Sequence, residues 1–397
     1  MSKKIISYTF NLKDIPVSVN FSYFTGVNRI NEYHITIVPT KYKDIYEQTQ
    51  LLQNSYKETL KHLSLNLETV VFKRFFFSDI YNQYKIIKNH PFINPKTNEE
   101  KCAISLISQP PCPPAKIALW AYHIQDKNCT ISKYMDNSIF SICRDNIKHF
   151  WDTNITSVKG NTISQQTFDI LNKYNSLLEK RNMKLASNVV RTWFFIKDID
   201  SNYKDFTEAR KNYFEEKGLT PQTHFITSTG VEGESVDINA KLSMDAYSIS
   251  GIQSQQIEFL RAPEYISPTY VYGVTFERGS VIKYNDRKHI FISGTASINN
   301  KGEIVYPGDI LKQFEHTLKN IEILLNQAGA GFKDVCIFIV YIRDITDIQI
   351  IHREMKKRFK DTPFILVLAK VCRPGWLIEI ECQAALAQDN QVLPEFL

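Results

Sequence analysis

Paired cysteines, long apolar runs and clustered basic residues are all missing from this sequence, and each absence closes off a class of function. The seven cysteines (Cys102, Cys112, Cys129, Cys143, Cys336, Cys372 and Cys382) are odd in number and contain no CxxC pair, which suggests neither a zinc site nor a disulfide framework. No stretch approaches the roughly 20 apolar residues of a membrane span, and Met1 to Tyr8 has no long apolar run. The 48 Lys+Arg and 42 Asp+Glu are interspersed along the chain, leaving a formal net charge of +6. No basic stripe with interleaved aromatics stands out for nucleic acid, whereas an anionic small molecule fits this balance. The expectation is a reduced, cytoplasmic protein without metal or cofactor, and with neither nucleic acid nor membrane as a partner.

The 397 residues are 43% hydrophobic, enough for two or three globular domains. Periodicity divides them into an α+β pattern that occurs three times. The first copy has a strand at Tyr33 to Val38 and a helix carrying Ile45, Leu52, Tyr56, Leu60 and Leu63. A strand at Thr69 to Phe77, a short helix at Ile80 to Ile87, and strands at Ala103 to Ile107 and Lys116 to Ala121 follow. The second has Ile139 to Ile142, a helix with Phe168, Leu171, Tyr174 and Leu178 capped by Ser164, a strand at Val189 to Ile196, and a helix from Tyr203 to Glu216. It ends with strands at His224 to Thr227 and Val236 to Leu242. The third has Ile290 to Gly294, a helix capped by Asp309 with Leu311, Phe314, Leu318, Ile321 and Leu325, a strand at Val335 to Arg343, a helix at Ile348 to Phe359, and strands at Phe364 to Ala369 and Leu377 to Ala385. Each middle strand ends in a polar residue and an aspartate: Ser78-Asp79, Lys197-Asp198, Arg343-Asp344. An internal repeat explains the shared order better than chance alternation. Its expected boundaries are 1–125, 126–250 and 251–397.

The closing stretch Cys372-Arg373-Pro374-Gly375-Trp376-Leu377-Ile378-Glu379-Ile380-Glu381 is a half-buried strand with both glutamates on one face. Aligned by eye, Cys112 to Leu119 of the first copy keeps the cysteine but puts a proline under Arg373 and Leu119 under Glu379. Val236 to Lys241 of the second copy does not carry the pattern either. One working cleft per chain is therefore expected, with the first copy structural, the second contributing to substrate binding and the third supplying the acid.

A module of this order, closed by an Ile-Glu-Ile-Glu strand, resembles the Rid/YjgF family, whose chorismate-mutase-like modules form homotrimers with sites between subunits. Three in tandem imply a pseudo-trimer and a monomer. Rid proteins that hydrolyse imines carry an arginine on the penultimate strand, and Thr362 to Ala369 has none. A closer resemblance is to the chorismatases, which remove pyruvate from chorismate. It rests on Arg191-Thr192-Trp193 with Tyr203, Phe206, Ala209-Arg210 and Tyr213-Phe214; on Ser228-Thr229-Gly230-Val231-Glu232-Gly233; on Ser293-Gly294-Thr295-Ala296-Ser297-Ile298 with Pro307-Gly308-Asp309; and on Cys372 to Glu381.

That resemblance implies Glu379 as the acid that protonates the enol ether, its proton held by burial. It also implies Cys372 beside it as the mark of the branch that yields 3-hydroxybenzoate, a precursor for secondary metabolism. Arg210 and Arg373 are the first candidates for the two carboxylates of chorismate, with Arg191 and Arg343 behind them. Tyr213, Thr229, Gly230, Gly294, Thr295, Ala296 and Tyr270 complete the expected binding set. Read without the resemblance, Arg210 is a solvated helix charge and Cys372 a small buried side chain. An imine hydrolase and a non-catalytic ligand-binding pseudo-trimer remain the alternatives.

Overall fold

The computed structural model describes residues 5–27, 30–95, 100–128, 131–136 and 139–397; Cys129 lies outside them. Three six-stranded sheets follow one another along the chain with one strand order. In the third, an antiparallel run of Ile257–Leu260, Gly279–Lys283 and Arg287–Ala296 meets the closing strand Ile378–Ala387. That strand lies between Arg287–Ala296 and the middle strand Val335–Ile342, and the parallel partner Phe364–Leu368 forms the far edge. The chain's last strand is thus central, and both of its neighbours aim its side chains.

The opening strands of each sheet escape the periodic reading for the most part: Ile6–Phe10 and Ser132–Asp136 are largely exposed sheet edges, and others carry polar residues that are buried. Ile147–Thr156 is central in the second sheet, yet His149, Asp152 and Thr153 interrupt its apolar pattern although all three are buried. The second sheet closes with Leu242–Ser250 rather than Val236 to Leu242, and its parallel edge strand is Thr227–Glu232 rather than His224 to Thr227. Thr162, not Ser164, caps the helix Ile163–Lys180, because Thr162 and Gln165 exchange side-chain and backbone bonds in a capping box. The stripe of Ile310–Gln327 begins at Phe314, since Leu311 faces solvent.

Each helix pair covers one face of its own sheet, and the opposite faces converge. One apolar core joins Phe72 and Trp120 of the first module, Trp151, Trp193 and Tyr247 of the second, and Ile290, Ile337 and Ile339 of the third. Each such large apolar side chain contributes about 1.5–3 kcal/mol when fully buried. Buried ion pairs cross the junctions: Arg74 with Asp245 at 2.8 Å, Arg191 with Glu381 at 2.6 Å, and Arg287 with Glu32 at 2.6 Å. Among the described residues no helix is long and apolar enough to cross a membrane.

The pairing registers correct the alignment of the closing strands. Glu379 lies opposite Tyr341, six residues into its middle strand; the same places in the other modules are taken by Ala118 opposite Phe76 and Ser243 opposite Phe195. Ala118, not Leu119, therefore replaces Glu379 in the first module. The equivalents of Glu381 are Trp120 and Asp245, so the second module retains the inner acid and lacks only the outer one.

Candidate active site

A cleft with about 450 Å³ of empty space opens where the second module meets the third. The second module lends it the helix Ile199–Glu216, which begins four residues before the expected Tyr203. That helix is longer than its counterparts Ile80–Ile87 and Ile348–Arg358, and it delivers Tyr203 and Arg210 to the cavity, beside Ser228 and Gly230 of the edge strand. The third module supplies Glu379, Gly294, Ala296, Cys372, Tyr272 and Arg278.

Glu379 and Glu381 share a face, as their spacing requires, but meet different surroundings. Glu381 is held by Arg191 at 2.6 Å, by the Trp193 indole N–H at 2.9 Å and by the Thr229 hydroxyl. Glu379 has no ion-pair partner among the described residues. Burial, and after it the charge of Glu381, push its carboxyl up to about 8, against the opposing pull of Arg278 and Arg191. It is therefore protonated at neutral pH. Gly294 makes its position possible: a Cβ there would run into Glu379 Oε1 and come within 3.0 Å of the Thr229 methyl.

Two arginines face this acid without a carboxylate of their own among the described residues. Arg210 stacks over Phe206 with its guanidinium carbon 4.9 Å from the ring centroid, and its Nε donates to Thr275 Oγ1 at 3.2 Å. Arg278 donates to the Ser267 carbonyl and to the Tyr272 hydroxyl, and its buried Nε has no hydrogen-bond partner. Burial, and next the charge of Glu379, raise the Cys372 thiol to about 12, so it is neutral and no thiolate nucleophile. The cavity thus offers one neutral carboxylic acid, one neutral thiol and two fixed cations.

Of the expected residues, Glu379, Cys372, Arg210, Gly230, Gly294 and Ala296 line this cavity. Arg191 and Thr229 lie behind it around Glu381, and Thr295 turns its hydroxyl to the Ser293 carbonyl. Arg373 stands over the Tyr272 and Trp376 rings and donates to the Gly302 carbonyl; it braces the wall. Three more lie further away. Arg343 is committed to Asp200 at 2.9 Å and to the Trp376 and Val371 carbonyls. Tyr213 packs in the second module's core with its hydroxyl on the Leu171 carbonyl. Tyr270 is half exposed on an adjoining hollow, and its neighbour Tyr272 takes the cleft position. Arg278 was not legible: it precedes a short edge-side strand, Gly279–Lys283, whose pattern is too brief to place it.

Residues 279–386 match the family model described as Endoribonuclease L-PSP. A RutC family protein of Pyrococcus abyssi is 32% identical over 96 residues, 24% of this chain and 75% of the relative. The 3-hydroxybenzoate synthase of Streptomyces hygroscopicus is 25% identical over 217 residues; the match covers 49% of this chain and 63% of that enzyme. This chain therefore spans less than two thirds of that relative's length. A crystal structure of a chorismatase superposes with a TM-score of 0.60 at 18% identity, over 80% of this chain and 93% of the other. The chain belongs to the RutC family and shares its fold with a chorismatase.

Proposed function

We propose that this chain is a chorismatase that releases pyruvate from chorismate, with Glu379 as the proton donor. The observation that carries this reading is a carboxylic acid kept protonated at neutral pH beside two arginines that no carboxylate among the described residues neutralises. Chorismate brings two carboxylates, which Arg210 and Arg278 would hold, and an enol ether whose methylene carbon must gain a proton before the ether bond can break. Protonation by Glu379 leaves an oxocarbenium carbon bonded to the ether oxygen. Addition of water there, followed by collapse, gives pyruvate and a dihydroxycyclohexadienoate and consumes one water. Aromatisation gives pyruvate and 3-hydroxybenzoate with no net water.

The charge separation in this step is met by fixed groups, which need no reorganisation as the reaction proceeds. Purified protein mixed with chorismate should release pyruvate, followed by coupled reduction to lactate. Absence of release, with ammonia instead liberated from a 2-iminoacid, would favour the deaminase chemistry named for other RutC proteins.

We favour 3-hydroxybenzoate as product, because Cys372 puts a neutral, soft side chain rather than a water-binding polar group beside Glu379. In Cys372→Ala the space left by the sulfur admits water, and the ratio of dihydrodiol to hydroxybenzoate should rise, read by mass spectrometry and NMR of the products. An unchanged ratio would remove Cys372 from product control. Gly294→Ala should fold normally and lower kcat by up to about a hundredfold, since its methyl must displace the Glu379 carboxyl and a 1 Å misplacement is that costly.

A further inference from the structure

The repetition of the fold puts a second cleft in register with the first, between the third module and the first. The two middle strands carry the same bulge, at Val189/Arg191 and Val335/Ile337, which fixes the correspondence. Ser228 and Gly230, paired with Thr192 and Phe194, become Phe364 and Leu366, paired with Phe338 and Val340. Counted from the same bulge, Gln349 replaces Tyr203 and Lys356 replaces Arg210. On the first-module side, Asn20 precedes Phe21 as Arg278 precedes Gly279, and Ala118 holds the place of Glu379. Cys112 keeps the cysteine of the loop before the closing strand. These are not scattered equivalences: Asn20, Cys112, Gln349, Lys356, Phe364 and Leu366 line one cavity of about 770 Å³.

The substitutions change what such a cavity can hold. Two arginines become one lysine and a neutral amide, so a single negative charge is matched rather than two. Lys356 forms no ion pair among the described residues, although Lys357 and Arg358 beside it pair with Glu354 and Glu315. Its ammonium acts on Cys112 across the cavity and on His352 one turn away on its own helix. Burial and that charge hold the His352 imidazole down at about 4, hence neutral at pH 7 and free to exchange hydrogen bonds with a polar ring substituent. Phe364 and Leu366 offer apolar contact where the first cleft has a serine and a glycine. The proton donor is absent, so a bound molecule is not protonated. The remaining junction is filled: Asn154 reaches the Ile104 carbonyl and the Leu106 N–H across it.

We propose that this second cleft binds a small aromatic monocarboxylate, its carboxylate on Lys356 and its ring against Phe364 and Leu366, and holds it unreacted. The proposal does not depend on the reaction assigned to the first cleft, because its probe is not a substrate. The test is titration of the full chain with 3-fluorobenzoate, followed by fluorine NMR and calorimetry. Wild-type protein should bind at two places, one lost in Arg210→Ala and the other weakened at least about tenfold in Lys356→Glu, as expected when a charged partner is removed. Lys356→Arg should restore it. Lys356 is exposed, so the variant should melt with the wild type, which excludes unfolding as the cause. Binding that Lys356→Glu leaves intact, or a single place lost in Arg210→Ala alone, would overturn the proposal.

Discussion

Glu379→Gln should lower the rate of pyruvate release from chorismate by about a thousandfold, within the range a positioned general acid contributes, while leaving the fold intact. Glutamine keeps the shape and the hydrogen-bonding capacity of the protonated acid and removes only the transferable proton. Wild-type activity should also follow that proton. A carboxyl raised to about 8 is protonated, and active, below that value, and loses its proton as the pH rises through it. kcat/KM should therefore fall above about pH 8 with a slope of one proton, and Glu379→Asp should keep a titrating limb whereas Glu379→Gln should show none. Because Glu381 contributes to the elevation, Glu381→Gln should move the alkaline limb to lower pH. Full activity in Glu379→Gln would end the assignment.

Arg191→Met should destabilise the protein by roughly 3–5 kcal/mol, the usual consequence of leaving one member of a buried ion pair without its partner. Arg191 and Glu381 are both almost wholly inaccessible, and Glu381 would retain only the Trp193 and Thr229 donors. Arg191→Met combined with Glu381→Met should recover most of that loss, since no orphaned charge remains, and the two denaturation midpoints measure the difference. If the single variant is as stable as the double, the pair does not hold the junction. The double variant should keep the alkaline limb near its wild-type position, because the charge of Glu381 that raises the Glu379 carboxyl and that of Arg191 that lowers it are lost together.

The sequence revealed the repeat because its helices and middle strands are strongly periodic: Val335–Ile342 is buried at every position, and Phe314, Leu318, Ile321 and Leu325 recur at helical spacing. It hid Ile147–Thr156 because an inter-module surface is both buried and polar. His149, with its ring between Tyr247 and the Phe396 carbonyl, looks like a surface residue until the neighbouring module is present. The acid was legible from Glu379 and Glu381 sharing a face, and from the family resemblance. Its cationic partners were only half legible. Arg210 sits in a recognisable stretch, but Arg278 precedes a five-residue strand too short to leave a periodic trace. The one-residue slip at Leu119 has the same origin: loops of different length precede the closing strands, and only hydrogen-bond register can align them.

The three junctions, described above by their different ion pairs, also act as addresses. Asp245 finds its arginine only on the first module and Glu381 only on the second, while the equivalent place at the third junction holds Trp120 and Ile339. Around the central axis the modules can therefore sit in one cyclic order, which matches their order along the chain. Identical subunits lack this distinction, and any change in them appears three times over. Here a change at one junction leaves the others as they were, and because one chain carries both walls of each cleft, dilution does not take them apart.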